Sequence, residues 1–390
     1  MSNRNFRLDE IAEIVDCEHK TAPVVDSSIY RSIRTTDIKN GIIDYINANC
    51  VEYETYLEWT KREIPEAHDI ILAREAPVGE VGWIREGNLV CLGQRTVLIK
   101  VINDDVSKRF LLYYLINPET KYELQVQSVG SVVSHLNMKD IRAFSISLPP
   151  LPEQKAIASV LSSLDDKIDL LHRQNKTLEA MAETLFRKWF IEEAQDDWED
   201  GCLGDIADIN PSYKIKKGAM AIYIEMKYLS TSTFNPESWC RREFTSGMKF
   251  KNGDTLLARI TPCLENGKTA FITILDKEEI GCGSTEYIVI RMKTVYHAFV
   301  SYIIARDKEF RDFAISSMSG SSGRQRAEAD MLKKFELKIP PKDIIANLNM
   351  QLNGIVEKLK NNAAQIRTLE KLRNNLLPKL MSDEVRVNYA

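Results

Sequence analysis

The side chains able to do chemistry in this chain sit in polar, basic loops. Tyr30-Arg31-Ser32-Ile33-Arg34-Thr35-Thr36-Asp37-Ile38-Lys39 interleaves cations, hydroxyls and an aromatic ring. Gly93-Gln94-Arg95-Thr96 and Ser128-Val129-Gly130-Ser131 add amide and hydroxyl groups. Further along, Tyr213-Lys214-Ile215-Lys216-Lys217 is a short basic run, and Ser319-Gly320-Ser321-Ser322-Gly323-Arg324-Gln325-Arg326 is a hydroxyl-rich loop ending in long polar side chains. The chemistry that suits them is recognition of a nucleic-acid duplex. Arginine forks onto guanine O6 and N7, and a side-chain amide onto adenine. Glycines let backbone amides approach a phosphate. The candidate contacts are Lys20, Tyr30, Arg31, Arg34, Thr36, Lys39, Arg74, Gln94, Arg95 and Ser131 in the first half. In the second half they are Tyr213, Lys214, Lys216, Lys217, Lys227, Arg259, Ser321, Ser322, Arg324, Gln325 and Arg326. Each stretch alone also reads as a solvated loop. Position argues for more, because both halves place such a loop just before a strand-like run that ends in Pro-Pro.

Enzyme signatures are missing. No GxxxxGK[ST], GxGxxG after a strand, HExxH or GxSxG occurs. Asn210-Pro211-Ser212-Tyr213 approaches the NPPY of amino-methyltransferases, but its third residue is Ser and no glycine-rich cofactor loop precedes it, so a loop-entry turn is expected. Asp165, Asp166 and Asp169 fall early in a helix, where carboxylates complement the dipole, and are expected on a solvated face. The 7 cysteines are odd in number, widely spaced and without CxxC, which indicates reduced thiols. Cys17-Glu18-His19 reads as a loop. Neither a metal nor a cofactor is expected on this chain.

The elements that must position these loops are revealed by an internal repeat. With Pro150 set against Pro341, Leu161 meets Leu352, Ile168 meets Leu359, and Thr177-Leu178-Glu179 meets Thr368-Leu369-Glu370 without a gap. Upstream, Leu8-Asp9-Glu10-Ile11-Ala12 resembles Leu203-Gly204-Asp205-Ile206-Ala207, and Asp69-Ile70-Ile71-Leu72-Ala73-Arg74 resembles Asp254-Thr255-Leu256-Leu257-Ala258-Arg259. The unit is therefore a globular domain followed by a long helix, twice. The expected boundaries are 1–150, 151–195, 196–340 and 341–390. Leu161, Leu164, Ile168, Leu171, Asn175, Leu178, Ala182, Leu185 and Trp189 alternate spacings of three and four, as heptads do. Leu352, Ile355, Leu359, Asn362, Ile366, Leu369, Arg373, Leu376 and Leu380 follow the same register. Each helix should start at a proline of its first turn, Pro152 and Pro341, and Pro378 should end or kink the second. Two matching stripes are best buried against each other, antiparallel, giving a dumbbell with approximate two-fold symmetry. Asn175 and Asn362 then either fix the register from inside the seam or face solvent at its edge. The β-branched runs Ile70–Ala73, Val97–Val101, Leu256–Ala258 and Tyr287–Arg291 read as strands, so the fold class is α+β.

Composition is that of a globular protein: 390 residues, 44% hydrophobic, 28% charged. No apolar run is long enough to span a membrane and no signal peptide opens the chain, so a cytoplasmic protein is expected. Net charge is −4, with residues 1–150 at −5 and 341–390 at +3. Any binding to DNA must therefore come from local patches or from a basic partner.

LPPLPEQKAIASVLSSLDDKIDLLHRQNKTLEAMAETLFRKWF resembles the central conserved region of the DNA-specificity (S) subunits of Type I restriction–modification systems. Trp198-Glu199 with Leu203-Gly204-Asp205-Ile206-Ala207 resembles the start of that family's second recognition domain, and Ile33–Gly41 a recurring element of its first. The resemblance implies two similar recognition domains, each reading one half of a bipartite, asymmetric site in double-stranded DNA. It implies that the paired helices act as a ruler and dock two copies of a modification subunit, which holds S-adenosylmethionine. A restriction (motor-nuclease) subunit would then join, and this chain would catalyse nothing. The competing reading is a coiled-coil scaffold whose heads bind protein.

Overall fold

The computed structural model describes residues 3–128, 135–321 and 323–388. The chain forms two compact units, Met1–Lys167 with Thr368–Ala390, and Ile168–Arg367. Among the described residues, no helix is long and apolar enough to cross a membrane.

In the first unit a four-stranded antiparallel sheet runs in the order Ala12–Asp16, Thr96–Val101, Ile70–Ala73, Val81–Trp83. A second sheet has the order Asn49–Val51, Tyr30–Ile33, Leu89–Leu92, the last two strands parallel. The Ile70–Ala73 run is continuously apolar because both of its faces are covered. Ile70, Leu72, Val97 and Ile99 pack against helix Lys108–Ile116 through Phe110, Leu111 and Leu115. Ile71 and Leu98 point the other way, into Ile33, Val90 and Leu92 of the second sheet. Arg4–Arg7 and Ser145–Leu148 close the unit as an antiparallel pair.

The second unit repeats this topology. Its central sheet runs Ala207–Ile209, Tyr287–Met292, Thr255–Ala258, Thr269–Phe271. Its second sheet runs Cys240–Glu243, Met220–Ile224, Gly281–Gly283, Met248–Phe250, again with one parallel pair but with a fourth strand added beyond it. Leu257, Ile288 and Ile290 face helix Val300–Arg306, whereas Leu256, Val289 and Tyr287 face the second sheet. Glu199–Cys202 pairs with Glu336–Ile339.

The long helices are Leu151–Arg187, extended by a π-helical turn Lys188–Glu192, and Lys342–Met381. Pro152 lies in the first turn as expected, but Pro341 precedes the first helical residue. Pro378 does not end the second helix, which continues to Met381. A proline three residues from the end removes one hydrogen bond, to the Asn374 carbonyl, and less than one turn of helix follows it.

The apolar stripes are buried within each unit. In the second unit Ile168, Leu171, Ala182 and Trp189 of the first helix are buried, as are Leu352, Ile355, Leu359 and Ile366 of the second. Leu178 and Leu185 pack against that core. In the first unit Leu161 shares a core with Leu377 and Leu380, and Leu376 packs on it. Leu164 and Leu369 are half-buried. In both units one helix's start therefore lies by the other's end, an antiparallel pairing. The solvent reading of the asparagines is excluded. Asn175 and Asn362 are 6% and 0% exposed, and Asn362 Nδ2 donates to Asn175 Oδ1 at 2.9 Å.

Asp165 is corrected as well. It is half-buried and not solvated. Its Oδ2 accepts from the Tyr113 hydroxyl at 2.6 Å, and its Oδ1 from Arg373 Nη1 at 2.9 Å. The arginine that interrupts the second stripe thus finds its carboxylate on the facing helix.

Candidate nucleic-acid interface

In each unit one corner gathers three loops: the one leaving the central strand, the one entering its neighbour, and the one returning to the closing strand. The backbone frames match. In the first unit Arg74 N–H donates to Arg95 O at 3.0 Å, and Leu136 N–H to Arg74 O at 2.8 Å. In the second, Arg259 N–H donates to Glu286 O at 3.0 Å, and Ala327 N–H to Arg259 O at 2.8 Å.

Several sequence candidates meet at the first corner. Gly93 N–H donates to Ile33 O at 2.8 Å, which sets the Arg34–Thr36 turn beside Gln94 and Arg95. A Cβ at position 93 would fall 2.6 Å from the Ile33 carbonyl oxygen, so the close approach requires glycine. The Thr35 hydroxyl donates to Ala76 O at 3.1 Å, and Gln94 Nε2 to His19 O at 3.2 Å, drawing in Lys20. Thr36, Lys20 and Arg95 are exposed. Arg95, held at a φ of 67°, pairs with Glu75.

Other candidates are engaged inside the unit. Arg31 donates to the carbonyls of Tyr45 and Ser28, and Tyr30 packs, tilted, against Tyr53 and Tyr56 with ring centroids 5.4 and 4.7 Å away. This stretch is not a loop: Tyr30–Ile33 is the middle strand of the second sheet, which turns Arg31 into its own backbone. Arg34 forks onto Asp37 at 2.7 and 3.0 Å, which raises its pKa. Arg74 Nη1 donates to both Asp16 oxygens at 3.1 and 2.9 Å. Lys39 is exposed and, among the described residues, without an ion pair. Ser131 lies outside the described residues.

At the second corner Arg326 forks onto Glu286 at 2.8–3.0 Å, which holds that carboxyl below its ordinary value. Gln325 O accepts from Thr261 N–H at 3.0 Å, and Ser319 and Arg326 exchange backbone hydrogen bonds at 3.1 and 2.9 Å, closing the return loop. Ser321 and Arg324 are exposed at its tip, and Ser322 lies outside the described residues. On a separate loop, beside the start of the central strand, Lys214, Lys216 and Lys217 are exposed with no ion-pair partner among the described residues. Tyr213 faces inward, its hydroxyl donating to the buried Asp254 at 3.2 Å. Asn210 begins a turn, as expected: its φ is 55° and its Oδ1 accepts from Val289 N–H at 2.9 Å. Lys227 pairs with Glu225 at 2.9 Å.

Sequence reasoning missed Arg62. It donates to the carbonyls of Asp16 and Cys17 at 3.1 Å each and pairs with Glu18, bracing the turn that carries Lys20. Nothing local marks it, since its partners lie more than forty residues away. Asp16, Cys17 and His19 could together hold a metal ion. However, Arg74 already occupies both Asp16 oxygens, and burial pushes the Cys17 thiol up. That chemistry fits an ion-paired turn and not a cation site.

These corners are polar, loop-built and duplicated. The Type I restriction modification DNA specificity domain matches the chain twice, over residues 3–180 and 195–377. The chain is 28% identical over 347 residues, 82% of its length and 78% of the relative's, to the Type I restriction enzyme MjaIX specificity subunit of Methanocaldococcus jannaschii. It is 22% identical over 398 aligned positions, 94% and 89% of the two lengths, to that organism's MjaVIII specificity subunit. The solved Type-I restriction-modification S subunit from M. genitalium shares the fold, with a TM-score of 0.59 at 12% identity over 100% of this chain and 97% of that one. With the repeat, the sheet order and both domain matches in agreement, the chain belongs to the Type I restriction–modification DNA specificity subunits.

Proposed function

We propose that each unit reads one half of a bipartite, asymmetric site in double-stranded DNA, and that the helix pair fixes the number of unread base pairs between the halves. The observation that carries this reading is the duplication of one corner. Arg74 and Arg259 stand in the same three-loop frame, in two units whose central sheets share one strand order. Lys20, Thr36, Gln94 and Arg95 are the proposed contacts of the first corner and Ser321, Arg324 and Gln325 of the second, with Lys214, Lys216 and Lys217 as further contacts on the separate loop after Asn210. The solvent faces of the helices and the adjoining head surfaces dock two copies of a modification subunit, which binds S-adenosylmethionine and methylates adenine. Restriction (motor-nuclease) subunits complete a cytoplasmic complex. This chain supplies selectivity and no catalytic group.

The test is selection from a randomised duplex library by the complex of this chain with its modification subunit. Retained molecules should share two short conserved blocks separated by an unconserved run of fixed length. Retention without sequence enrichment would contradict the reading. Protein-binding heads on a coiled-coil scaffold would predict no retention at all.

A further inference from the structure

We infer that the two DNA-reading corners are electrostatically unequal, and that Arg259 of the second is a specificity-determining contact whose counterpart, Arg74, has become part of the scaffold. This deepens the proposed function and rests on it.

Both arginines follow the central strand, and their backbones are held by the same pair of hydrogen bonds, 3.0 and 2.8 Å long in either unit. Their side chains differ. Arg74 lies against Asp16, with its side chain 14% exposed and its Nη1 on both carboxylate oxygens. Asp16 is supplied by the first strand of that sheet, two residues beyond Ile14, which pairs with Ile99. In the second unit Ile209 pairs in the same way with Ile290, and the position two residues beyond it is Pro211. The carboxylate is therefore missing. Glu286 is the acidic group that feels Arg259, but its oxygens are forked by Arg326. Among the described residues Arg259 forms no ion pair; the Nε of each arginine is buried without a hydrogen-bond partner, but only Arg74 has a carboxylate on its Nη1.

The charges follow. At the first corner Arg74, Arg95 and Arg62 are matched by Asp16, Glu75 and Glu18. At the second, Arg326 takes Glu286, and among the described residues neither Arg259 nor Arg324 has an ion-pair partner. A half-buried guanidinium without an internal acceptor costs free energy until an outside anion or base edge satisfies it. A backbone phosphate or the O6/N7 edge of guanine has the required geometry. The second unit should thus contribute the larger share of phosphate neutralisation.

The experiment uses the complex with the modification subunit and a mixed-sequence duplex, titrated across a salt series, with motif selection alongside. Arg259→Ala should weaken binding about tenfold and make the plot of log K against log salt shallower by about 0.9, the share of one phosphate contact. Arg259→Lys keeps the charge and should restore most of the slope while relaxing one position of one half-site. Arg74→Ala should lower the melting temperature and leave the slope as it was. An unchanged slope and motif in Arg259→Ala, or an equal loss of slope in Arg74→Ala, overturns the inference while the DNA-reading function stands. A wild-type complex that retains no duplex removes the function itself, and the inference with it.

Discussion

Replacing Asn362 by Ala tests whether the polar pair inside the helix seam fixes register. Asn362 is fully buried and its Nδ2 donates to Asn175 Oδ1 at 2.9 Å. Truncation removes that donor and strands the Asn175 carbonyl in a site 6% exposed. An unsatisfied buried polar group costs about 1–3 kcal/mol, and the vacated volume adds to this, so a loss near the top of that range is expected. Asn362 Oδ1 already lacks a partner among the described residues. Replacing both residues by Leu therefore removes a standing penalty and should be neutral or stabilising. A double-mutant cycle followed by chemical denaturation should give a coupling of about 1–3 kcal/mol between positions 175 and 362. The double Leu chain should also lose register discrimination, which would appear as mixed spacer lengths in its methylated motif. Single substitutions that each cost less than about 0.5 kcal/mol with no coupling would refute the reasoning.

Burial raises the Glu179 carboxyl to about 7, against its hydrogen bond from Tyr302 and the nearby Arg306. The folded chain holds a proton there that the unfolded chain releases near pH 4.5, so this site's contribution to stability falls as pH rises from about 4.5 to 7. Glu179→Gln should accordingly raise the melting temperature more at pH 8 than at pH 5; equal shifts at both would disagree. Gly93→Ala drives a methyl into the Ile33 carbonyl. It should cost about 1–3 kcal/mol and weaken DNA binding through the first corner, whereas unaltered thermal unfolding would show that the loops have room to separate. A heptad inserted in the first helix alone should abolish assembly. Matched insertions in both helices should lengthen the spacer and keep both half-sites, and an unchanged spacer would dismiss the ruler.

The repeat and the helix stripes were legible because both are patterns of residue type at fixed spacing. Leu161 through Trp189 and Leu352 through Leu380 bury as that spacing requires. The strands at Ile70–Ala73 and Leu256–Ala258 were legible for a similar reason, since burial on both faces leaves an uninterrupted apolar run. Side-chain pairing was not. Asp165 looked like a dipole-complementing surface acid, and Arg373 like a flaw in the seam; each is the other's partner, 208 residues apart in sequence. Arg31 looked like a DNA contact because charge and neighbours are visible in a sequence while strand geometry is not. The difference between Arg74 and Arg259 depends on whether Asp or Pro occupies the end of a neighbouring strand, which only the register reveals.

Methylome sequencing of a methylation-free host tests the central claim most directly. The host expresses this chain with the modification subunit encoded beside it, and a control omits this chain. The account predicts an interrupted, asymmetric, adenine-methylated motif that vanishes in the control and changes in one half when Arg259 is replaced. Methylation without a motif, or a motif that persists in the control, would contradict the claim that this chain reads the sequence.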